Sequence, residues 1–492
     1  MTGALVGYTL SYSGIYGVDK VEVTLLKDES VFRGEYLYVK LGGKEVYLQV
    51  EDAHIKRPTS SYDEKLVRDN LVTYDPERIV GKAICGQVGY DAGDGVRPHL
   101  NPIPPLTPVY RPTPEQLDSL ISPRSPSISV GTIYPTSVPL KLDLKILFRQ
   151  GALVVGGVGT GKSTLLLTMM IRMLQSIRPV HILLIDWDGE YNTEPLIEAA
   201  RRSGGYLRIT PSTPLKRPLK KYSPSEWYEH FKRLTGQAPQ SREMRALYAV
   251  VRRLEEGGKT SIEWSGKGFE EVLSHVEAPD IKKSLQLMGS KIFQEQEAAA
   301  DGLDIVEAVK SNALVHVDFT DAENWDEILV KTREILEACY IEARMNERFG
   351  VAVFIDEVHN FAPQSPHEGA ASREAYDLMI PLMKLLATTG PRNGVPLFLA
   401  TQRLSEVDKF ISTQMGQNIF AFRVEDVDLE RLRGIMGSDV AYSARLLPRG
   451  HAIYKGHALR IQRPVITVVE KAGDVASVGK DLLTRWGAAP AS

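Results

Sequence analysis

The stretch ALVVGGVGTGKSTLLL, residues 152–167, constrains the fold more than any other part of the sequence. Four apolar residues precede a glycine-rich loop, and a second apolar run follows the loop with helical spacing. Residues 156–163 match the pattern G-x-x-x-x-G-K-[ST], whose glycines let successive backbone N–H groups face phosphate oxygens at the positive end of a helix. The flanking strand and helix predict a P-loop rather than a structural glycine-rich turn.

Each polar position of the P-loop has an expected role. Lys162 is expected to neutralise the β and γ phosphates, and Ser163 to offer its hydroxyl group to the Mg²⁺ ion that bridges them. Thr164 is expected to contact the α phosphate. The residues predicted to bind ATP are Gly157, Val158, Gly159, Thr160, Gly161, Lys162, Ser163 and Thr164.

The stretch VAVFIDEVHN, residues 351–360, supplies an acidic partner for the P-loop. Its apolar residues predict a buried strand that delivers Asp356 and Glu357 to the edge of an α/β sheet where ligands bind. Asp356 is expected to hold Mg²⁺ through its water shell, and Glu357 to polarise the water that attacks the γ phosphate. Two neighbouring acids favour hydrolysis over transfer to a bound acceptor. His359 is interpreted as a structural polar residue, with a role as a ligand as the alternative.

Three further residues complete the predicted hydrolysis site. Gln402, at the end of PLFLAT, can contact the γ phosphate and report its presence, although a buried amide satisfied by the backbone is the alternative. Such a site also needs another cation against the charge of the phosphoryl group, often from a neighbouring subunit. Arg392 is the first candidate and Arg423 the second, with a solvated surface charge as the alternative for each. The predicted catalytic set is Lys162, Glu357, Gln402 and Arg392.

A chain of 492 residues is too long for one core, and its patterning changes along its length. Residues 20–89 contain short runs rich in Val, Tyr and Ile, and Gly42-Gly43 suits a hairpin turn, so a small β-barrel is predicted over residues 1–97. Eleven of the 29 prolines fall between Pro98 and Pro139. They predict a linker over residues 98–144 that is strapped along a surface, with a floppy tether as the alternative.

Residues 145–470 alternate strands with helices, which predicts an α/β fold with a RecA-like P-loop ATPase core and a mostly parallel sheet. Residues 222–311 are too long for an ordinary crossover and are interpreted as a helical insertion, with Ser223 and Glu226 as a capping pair at its start. Residues 471–492 are assigned to a C-terminal tail. The expected antiparallel additions at one sheet edge are NIFAFRV, HAIYKG and PVITVVE.

Charge, cysteine content and hydropathy limit the functions and locations that are compatible with the sequence. The 59 basic and 62 acidic residues give a formal net charge of −3, so the whole molecule has no electrostatic bias toward nucleic acid, although a basic lumen or loop fits within that average. Cys85 and Cys339 lie far apart, which argues against a disulfide or cysteine metal site and fits a reducing cytosol. No run of about 18 apolar residues occurs, so we expect no membrane insertion and a cytoplasmic location.

Two basic segments are candidates for contact with DNA phosphates. One is a loop broken by proline, and the other decorates a helix. For both segments a solvated surface is the competing interpretation, because no aromatic residues are interleaved for stacking on single strands. The loop contains Lys216, Arg217, Lys220 and Lys221, and the helix contains Arg242, Arg245, Arg252 and Arg253.

Four stretches together resemble the HerA/FtsK superfamily of ring-forming ATPases, and the HerA branch most closely. They are the P-loop, FIDEVHNFAP, NGVPLFLATQRLSEV and LLIDWDGEYN, of which the last is similar to the Asp-x-x-Gly-Glu-Tyr signature of HerA proteins. The resemblance covers roughly residues 1–470 and implies a HAS-like N-terminal barrel and a helical insertion in the motor domain. It also implies a homohexameric ring that moves double-stranded DNA through its pore and works with the nuclease NurA in preparing DNA ends for recombination repair.

The resemblance carries the signature over to Asp188, Glu190 and Tyr191, on the strand expected beside the P-loop strand. These residues are expected either to affect Mg²⁺ or the ring interface, or to form a structural turn. The chain departs from the family at residues 390–394, where Gly-Pro-Arg-Asn-Gly replaces the usual Gly-Arg-Lys-x-Gly, and at FRQGALVV, which lacks a histidine found in many relatives. These departures put the role of Arg392 in doubt and fit a divergent branch.

Three functions are compatible with these observations. The leading one is an ATP-driven ring that translocates or unwinds double-stranded DNA, with a NurA-like nuclease bound through the barrel or a ring face. The alternative is a secretion-type or filament-assembly ring ATPase that moves protein. A nucleotide-gated binding module that hydrolyses slowly is the third, against which Glu357, Gln402 and the candidate arginines argue.

Overall fold

The structure is a computed structural model in which the chain divides into two compact units. One unit comprises residues 1–208 and 312–492, and the other comprises residues 209–311. The part of the chain that the structure describes is residues 3–9, 20–26, 29–56, 80–216, 221–235, 238, 240–298, 302–366 and 369–475.

The N-terminal part of the larger unit is a closed β-barrel. Six strands close it in the order β2-β1-β7-β3-β4-β5, because β5 pairs back to β2, and β6 pairs with β5 outside the ring. Gly42 and Gly43, with φ of 53° and 77°, form the predicted hairpin turn between β3 and β4. Alternating apolar residues such as Val39, Val46 and Leu48 fill the barrel. The strands are β1 Leu5–Thr9, β2 Lys20–Leu25, β3 Tyr36–Leu41, β4 Lys44–Lys56, β5 Val80–Asp91, β6 Val96–Arg97 and β7 Pro108–Tyr110.

The proline-rich segment predicted as a linker is ordered structure in this fold. Strand β7 lies within it and pairs with β1 and β3. A helix then begins with Pro114 at its first turn and a capping box between Thr113 and Gln116. Two further strands, residues 127–133 and 139–143, extend the large sheet. Proline is tolerated at these places because the first turn of a helix, the first residue of a strand and an edge strand need no donor from its nitrogen.

The large sheet and its helices begin in this same segment. The P-loop lies between a fully buried strand and a long helix, as predicted. The elements up to residue 209 are α1 Pro114–Ile121, β8 Ser127–Ile133, β9 Pro139–Asp143, α2 Leu144–Gln150, β10 Ala152–Val155, α3 Lys162–Ser176, β11 Ile182–Asp186, α4 Glu194–Ser203 and β12 Tyr206–Ile209.

Residues 209–311 form the second unit, a mainly helical insertion with its own core around Trp227 and Phe231. The predicted capping pair is present, since the Ser223 N–H donates to Glu226 Oε2 at 3.0 Å. The elements are β13 Lys221–Tyr222, α5 Pro224–Thr235, α6 Arg242–Glu256, β14 Ile262–Glu263, α7 Gly266–Ser274, α8 Pro279–Ala298 and α9 Ile305–Ser311.

The rest of the chain completes the large sheet. Its strands are short and buried, and helices connect most of them. The elements are β15 Leu314–Asp318, α10 Trp325–Met345, β16 Ala352–Ile355, α11 Arg373–Thr389, β17 Leu397–Thr401, α12 Lys409–Met415, β18 Asn418–Ala421, α13 Asp426–Met436, α14 Ser438–Ala444, β19 His451–Gly456 and β20 Val465–Val469.

The large sheet has eleven strands in the order β12-β15-β11-β16-β17-β10-β18-β19-β20-β8-β9. From β15 to β18 the strands run parallel, so their carboxyl ends share one edge, where open α/β sheets bind ligands. From β18 onward the pairings are antiparallel. The P-loop strand β10 therefore lies inside the sheet, between β17 and β18.

Two predictions about strand positions are wrong. Strand β18 was expected as an antiparallel addition at an edge, but it is parallel to β10 and interior, and β8 and β9 extend the sheet beyond β19 and β20. Strand β11 was expected beside β10, but β16 and β17 lie between them. A run of apolar residues predicts that a strand is buried and carries no information about its neighbours, which the helical crossovers determine.

The loop between β19 and β20 attaches the barrel to the large sheet. Arg460 Nη2 lies 2.6 Å from Asp91 Oδ1 at the end of β5, and Arg463 Nη1 lies 2.7 Å from Glu51 Oε1 on β4. The Gln49 side chain donates to the carbonyl oxygen of Pro464 at 2.7 Å. The barrel thus makes charged hydrogen bonds with a loop of the large sheet.

Both cysteines, Cys85 and Cys339, are buried and unpaired, as the sequence predicts. Among the described residues no helix has the length and apolar character needed to cross a membrane.

Candidate nucleotide hydrolysis site

The P-loop is held in shape by backbone contacts to two later segments. The Gly157 N–H donates to the carbonyl oxygen of Arg423 at 2.8 Å, and the Gly450 N–H donates to the carbonyl oxygen of Thr160 at 2.9 Å. Lys162 Nζ donates to the carbonyl oxygen of Gly157 at 3.1 Å. These contacts fix the shape of the loop, and the lysine folds back across it.

Gly161 is a residue of this loop at which a side chain is poorly tolerated. Its φ is +123°, and a Cβ atom there would lie 2.9 Å from the Phe422 ring and 3.6 Å from the Cα atom of Gly450. Only glycine meets both conditions without strain. At the tip of the loop, Val158 is 82% exposed.

Asp356 lies at the carboxyl end of β16 and accepts three hydrogen bonds. Ser163 Oγ donates to its Oδ2 atom at 3.2 Å, Tyr191 Oη donates to the same atom at 2.6 Å, and the Glu357 N–H donates to Oδ1 at 2.7 Å. Burial and the neighbouring charge of Glu357 raise the pKa of Asp356 to about 6. A hydroxyl oxygen and a carboxylate oxygen are hard ligands of the kind that Mg²⁺ prefers, and Ser163 and Asp356 supply one of each.

Lys162 is the basic group of this acidic site and is only 4% exposed. Burial lowers the pKa of its ammonium group, and the charges of Glu357, Asp356 and Glu190 oppose that shift. The lysine and the acids therefore face one another in a place with little water. Phosphate oxygens entering the loop would meet a partly desolvated cation, and such a cation binds anions more strongly than an exposed one.

Glu357 has an unusual backbone conformation for a residue other than glycine, with φ 49° and ψ 49°. Its Oε2 atom accepts the N–H of Gln402 at 3.0 Å and lies 3.2 Å from His359 Nδ1. Burial raises the pKa of Glu357, but the hydrogen bond from His359, the charge of Lys162 and the hydrogen bond from Gln402 together hold it below its usual value. The carboxylate is therefore ionised at neutral pH, as a base must be.

The structure brings Gln402 to the site through its main chain. The residue follows β17, and the contact of its N–H with Glu357 Oε2 joins the predicted sensor to the predicted base. Its side chain is half-buried rather than enclosed. The role of the side chain as a γ-phosphate sensor stays a prediction.

The Asp-x-x-Gly-Glu-Tyr signature forms a half-buried turn after β11, between the buried residues Asp186 and Tyr191. Asp186 accepts the N–H groups of Gly189 at 2.9 Å and Tyr191 at 3.1 Å, and its Oδ2 atom lies 2.9 Å from Nε2 of the buried His316. The turn presents the Tyr191 hydroxyl group to Asp356, which follows the neighbouring strand β16. The signature thus forms a structural turn that places one side chain beside the predicted metal ligand, and its effect on Mg²⁺ stays a prediction.

Burial and the charges of Glu190 and Asp186 raise the pKa of Asp188, in the same turn, to about 8. Sequence reasoning missed Asp186 and His316. The signature was the available signal for Asp186, which is its first residue, whereas a lone histidine within an apolar strand gave none.

The two candidate arginines lie at opposite ends of the parallel strands. Arg423 is exposed at the carboxyl end of β18, where its carbonyl oxygen binds the P-loop. Arg392 is exposed in the 3₁₀ turn Pro391–Asn393 that precedes β17, at the amino ends of the parallel strands. Arg392 is therefore far from the phosphate loop of its own chain. Arg449, exposed beside Gly450, is near that loop and was not predicted.

The basic segments are only partly described. Arg217 and Lys220 lie outside the described residues, as does the side chain of Lys221, and Lys216 is exposed. The four arginines of helix α6 are all exposed. Two of them form ion pairs: Arg242 with Asp280 at 2.9 Å and Arg253 with Glu277 at 3.3 Å.

Part of the chain matches a known family model. Residues 128–332, which include the P-loop and the signature turn, match the family model described as the central domain of the helicase HerA. The DNA double-strand break repair helicase HerA of Sulfurisphaera tokodaii is 23% identical over 410 residues, which cover 78% of this chain and 77% of that protein.

Solved structures similar to this chain have low sequence identity to it. VirB4 of Thermoanaerobacter pseudethanolicus has a TM-score of 0.44 at 14% identity, over 71% of this chain and 98% of that chain. The bacterial conjugative coupling protein TrwBdeltaN70 has a TM-score of 0.43 at 12% identity, over 75% and 93%. The genome packaging NTPase B204 of Sulfolobus turreted icosahedral virus 2, in complex with ATP-gammaS, has a TM-score of 0.33 at 14% identity, over 65% and 97%.

Proposed function

We propose that the chain is a HerA/FtsK-type P-loop ATPase and that it uses ATP hydrolysis to move double-stranded DNA through a homohexameric ring. The observation that carries the proposal is the convergence of Lys162, Ser163, Asp356 and Glu357 at one sheet edge, with Glu357 bound to the Gln402 backbone. This arrangement contains every group that hydrolysis of a bound nucleotide requires from one chain.

The residues of the site fit a magnesium ion together with ATP. Ser163 and Asp356 would hold the ion, which neutralises charge on the β and γ phosphates when bound. Lys162 binds the same phosphates, and the N–H groups of residues 157–164 surround them. Glu357 accepts a proton from the attacking water, and Gln402 contacts the γ phosphate. Each of these roles is assigned from position and chemistry.

A second chain would complete the charge balance of this site. Lys162 is the cation of the P-loop, and Arg423 lies beside the loop on the same chain. Arg392 lies at the opposite edge of its own sheet, so it can serve only the phosphates of a neighbouring subunit. Hydrolysis shared between adjacent subunits is the reason that we propose a ring.

The DNA substrate and the setting in end processing rest on the relatives. The similar protein of Sulfurisphaera tokodaii is named as a helicase for repair of double-strand breaks. We extend that substrate to this chain, together with a NurA-like nuclease partner that binds the barrel or a ring face. The barrel suits such a role because Arg460 and Arg463 attach it to the motor sheet through charged hydrogen bonds.

The test is ATP turnover at low salt with and without duplex DNA. Lys162→Ala should abolish nucleotide binding, whereas Glu357→Gln should bind ATP and stall, because only the base is lost. Lys145→Ala, which changes an exposed lysine of α2, serves as the matched control and should turn over normally. Turnover by wild type that no duplex stimulates would overturn the DNA proposal and favour a secretion-type or filament-assembly ring that moves protein. Normal turnover by Glu357→Gln would overturn the assignment of the base.

A further inference from the structure

His359 lies against the carboxylate that the proposed function uses as a base. It belongs to the 3₁₀ turn Val358–Asn360 after β16, and its side chain is 15% exposed. Its Nδ1 atom lies 3.2 Å from Glu357 Oε2 and 3.1 Å from Thr401 Oγ1. The imidazole therefore bridges the carboxyl ends of two neighbouring parallel strands, β16 and β17.

The direction of the hydrogen bond follows from the chemistry of the acceptor. A carboxylate acting as a base accepts hydrogen bonds and donates none, and the Gln402 N–H already donates to the same Oε2 atom at 3.0 Å. The His359 Nδ1 atom must then carry the proton of this contact. Thr401 Oγ1 also accepts the N–H of Arg403 at 3.0 Å, which fixes the hydroxyl oxygen beside the ring. The contacts thus select the tautomer with hydrogen on Nδ1.

The two donors to Glu357 share one of its oxygens. His359 Nδ1 and the Gln402 N–H both bind Oε2. The carboxylate group is held at one oxygen, so Oε1 is the oxygen through which it can take a proton from water. A carboxylate fixed in this manner presents a single lone-pair direction to the nucleophile, and such positioning contributes to the rate.

The backbone at Glu357 adds an independent reason for this support. A left-handed conformation at a residue other than glycine is strained and persists only where surrounding contacts determine it. Here φ is 49°, and the described contacts that hold the side chain come from His359 and Gln402. Strain of this kind is concentrated at functional sites.

We infer that His359 is a positioning residue for ATP hydrolysis, which orients the Glu357 carboxylate through Nδ1 and ties it to Thr401 on the sensor strand. The inference rests on the proposed role of Glu357 as the base and does not depend on DNA. It assigns His359 neither to phosphate nor to metal. Its effect is confined to the step in which water loses a proton.

The experiment measures steady-state ATP hydrolysis without DNA and binding of a fluorescent ATP analogue. His359→Ala should lower kcat about 10- to 100-fold, with KM and the analogue Kd within about twofold, because one charge-assisted hydrogen bond to the base is lost. His359→Asn should recover most of kcat, since its amide N–H lies near the position of Nδ1. His275→Ala, which changes an exposed histidine of the insertion, should behave as wild type.

A double variant separates positioning from general damage. In a Glu357→Gln background, His359→Ala should cause no further loss, because groups that act as a unit are not additive. A further loss in that background, equal loss in the Ala and Asn variants, or a KM that rises with the fall in kcat would overturn the inference. Full activity of His359→Ala beside a stalled Glu357→Gln would overturn it while leaving the base assignment intact. Full activity of Glu357→Gln would overturn the proposed function instead.

Discussion

The substitution Tyr191→Phe removes one hydroxyl group from the surroundings of the predicted magnesium ligand and leaves the buried ring in place. Tyr191 is fully buried, and its hydroxyl group donates to Asp356 Oδ2 at 2.6 Å. A hydrogen bond to a charged group contributes about 1.5–3 kcal/mol, and each 1.4 kcal/mol corresponds to about tenfold in an equilibrium constant. We therefore expect Mg²⁺-dependent nucleotide binding to weaken about 10- to 100-fold, the range found for residues that orient a metal ligand.

The assay is a Mg²⁺ titration of fluorescent ATP-analogue binding, with thermal unfolding measured in parallel. Tyr454→Phe is the matched control, because Tyr454 is also fully buried and its hydroxyl group donates to Asn418 Oδ1 at 2.8 Å, at the opposite edge of the sheet. Both variants should lose stability, but only Tyr191→Phe should shift the Mg²⁺ midpoint. If Tyr191→Phe loses stability as the control does and keeps the wild-type midpoint, then the hydroxyl group serves packing alone.

Two other predictions concern the same site. Because the pKa of Asp356 is raised to about 6, the protonated carboxyl group competes with Mg²⁺ below that pH, so apparent Mg²⁺ affinity should be nearly constant at higher pH and fall about tenfold per pH unit in more acidic solution. Titrations across this range check it, and a flat profile would contradict it. In mixed-subunit ATPase assays, Arg392→Ala should depress wild-type turnover beyond dilution, whereas Arg423→Ala, beside its own P-loop, should reduce it only in proportion. Proportional loss with Arg392→Ala would rule out action across an interface.

The phosphate-binding and acidic motifs could be predicted from sequence because their chemistry is local. The glycines, Lys162 and Ser163 must be consecutive for one loop to surround a phosphate, and Asp356 and Glu357 must end an apolar strand to reach it. The hairpin at Gly42-Gly43 was equally local. For these features, spacing along the chain determines geometry.

The contacts that organise the acids could not be predicted, since they depend on strand order. Tyr191 reaches Asp356 because the turn after β11 lies next to β16, whereas the sequence suggested that β11 adjoins the P-loop strand. His359 was interpreted as a structural polar residue because nothing in its neighbourhood along the chain shows that Thr401 is beside it. The proline-rich segment was predicted as a linker, but it contributes strands to both sheets. Proline content indicates which backbone angles a segment can adopt, and it does not indicate which strands the segment pairs with.

The backbone contact between Gly450 and Thr160 belongs to a series of contacts that runs from the nucleotide site to the barrel. Gly450 donates to the P-loop and also accepts the Val469 N–H of β20, and β20 is joined by the loop at residues 457–464 that grips the barrel through Arg460. If the P-loop moves when phosphate binds or leaves, these hydrogen bonds connect the movement to β20 and to the loop that contacts the barrel. Such a movement would reach the barrel of the same subunit without passing through a neighbouring chain.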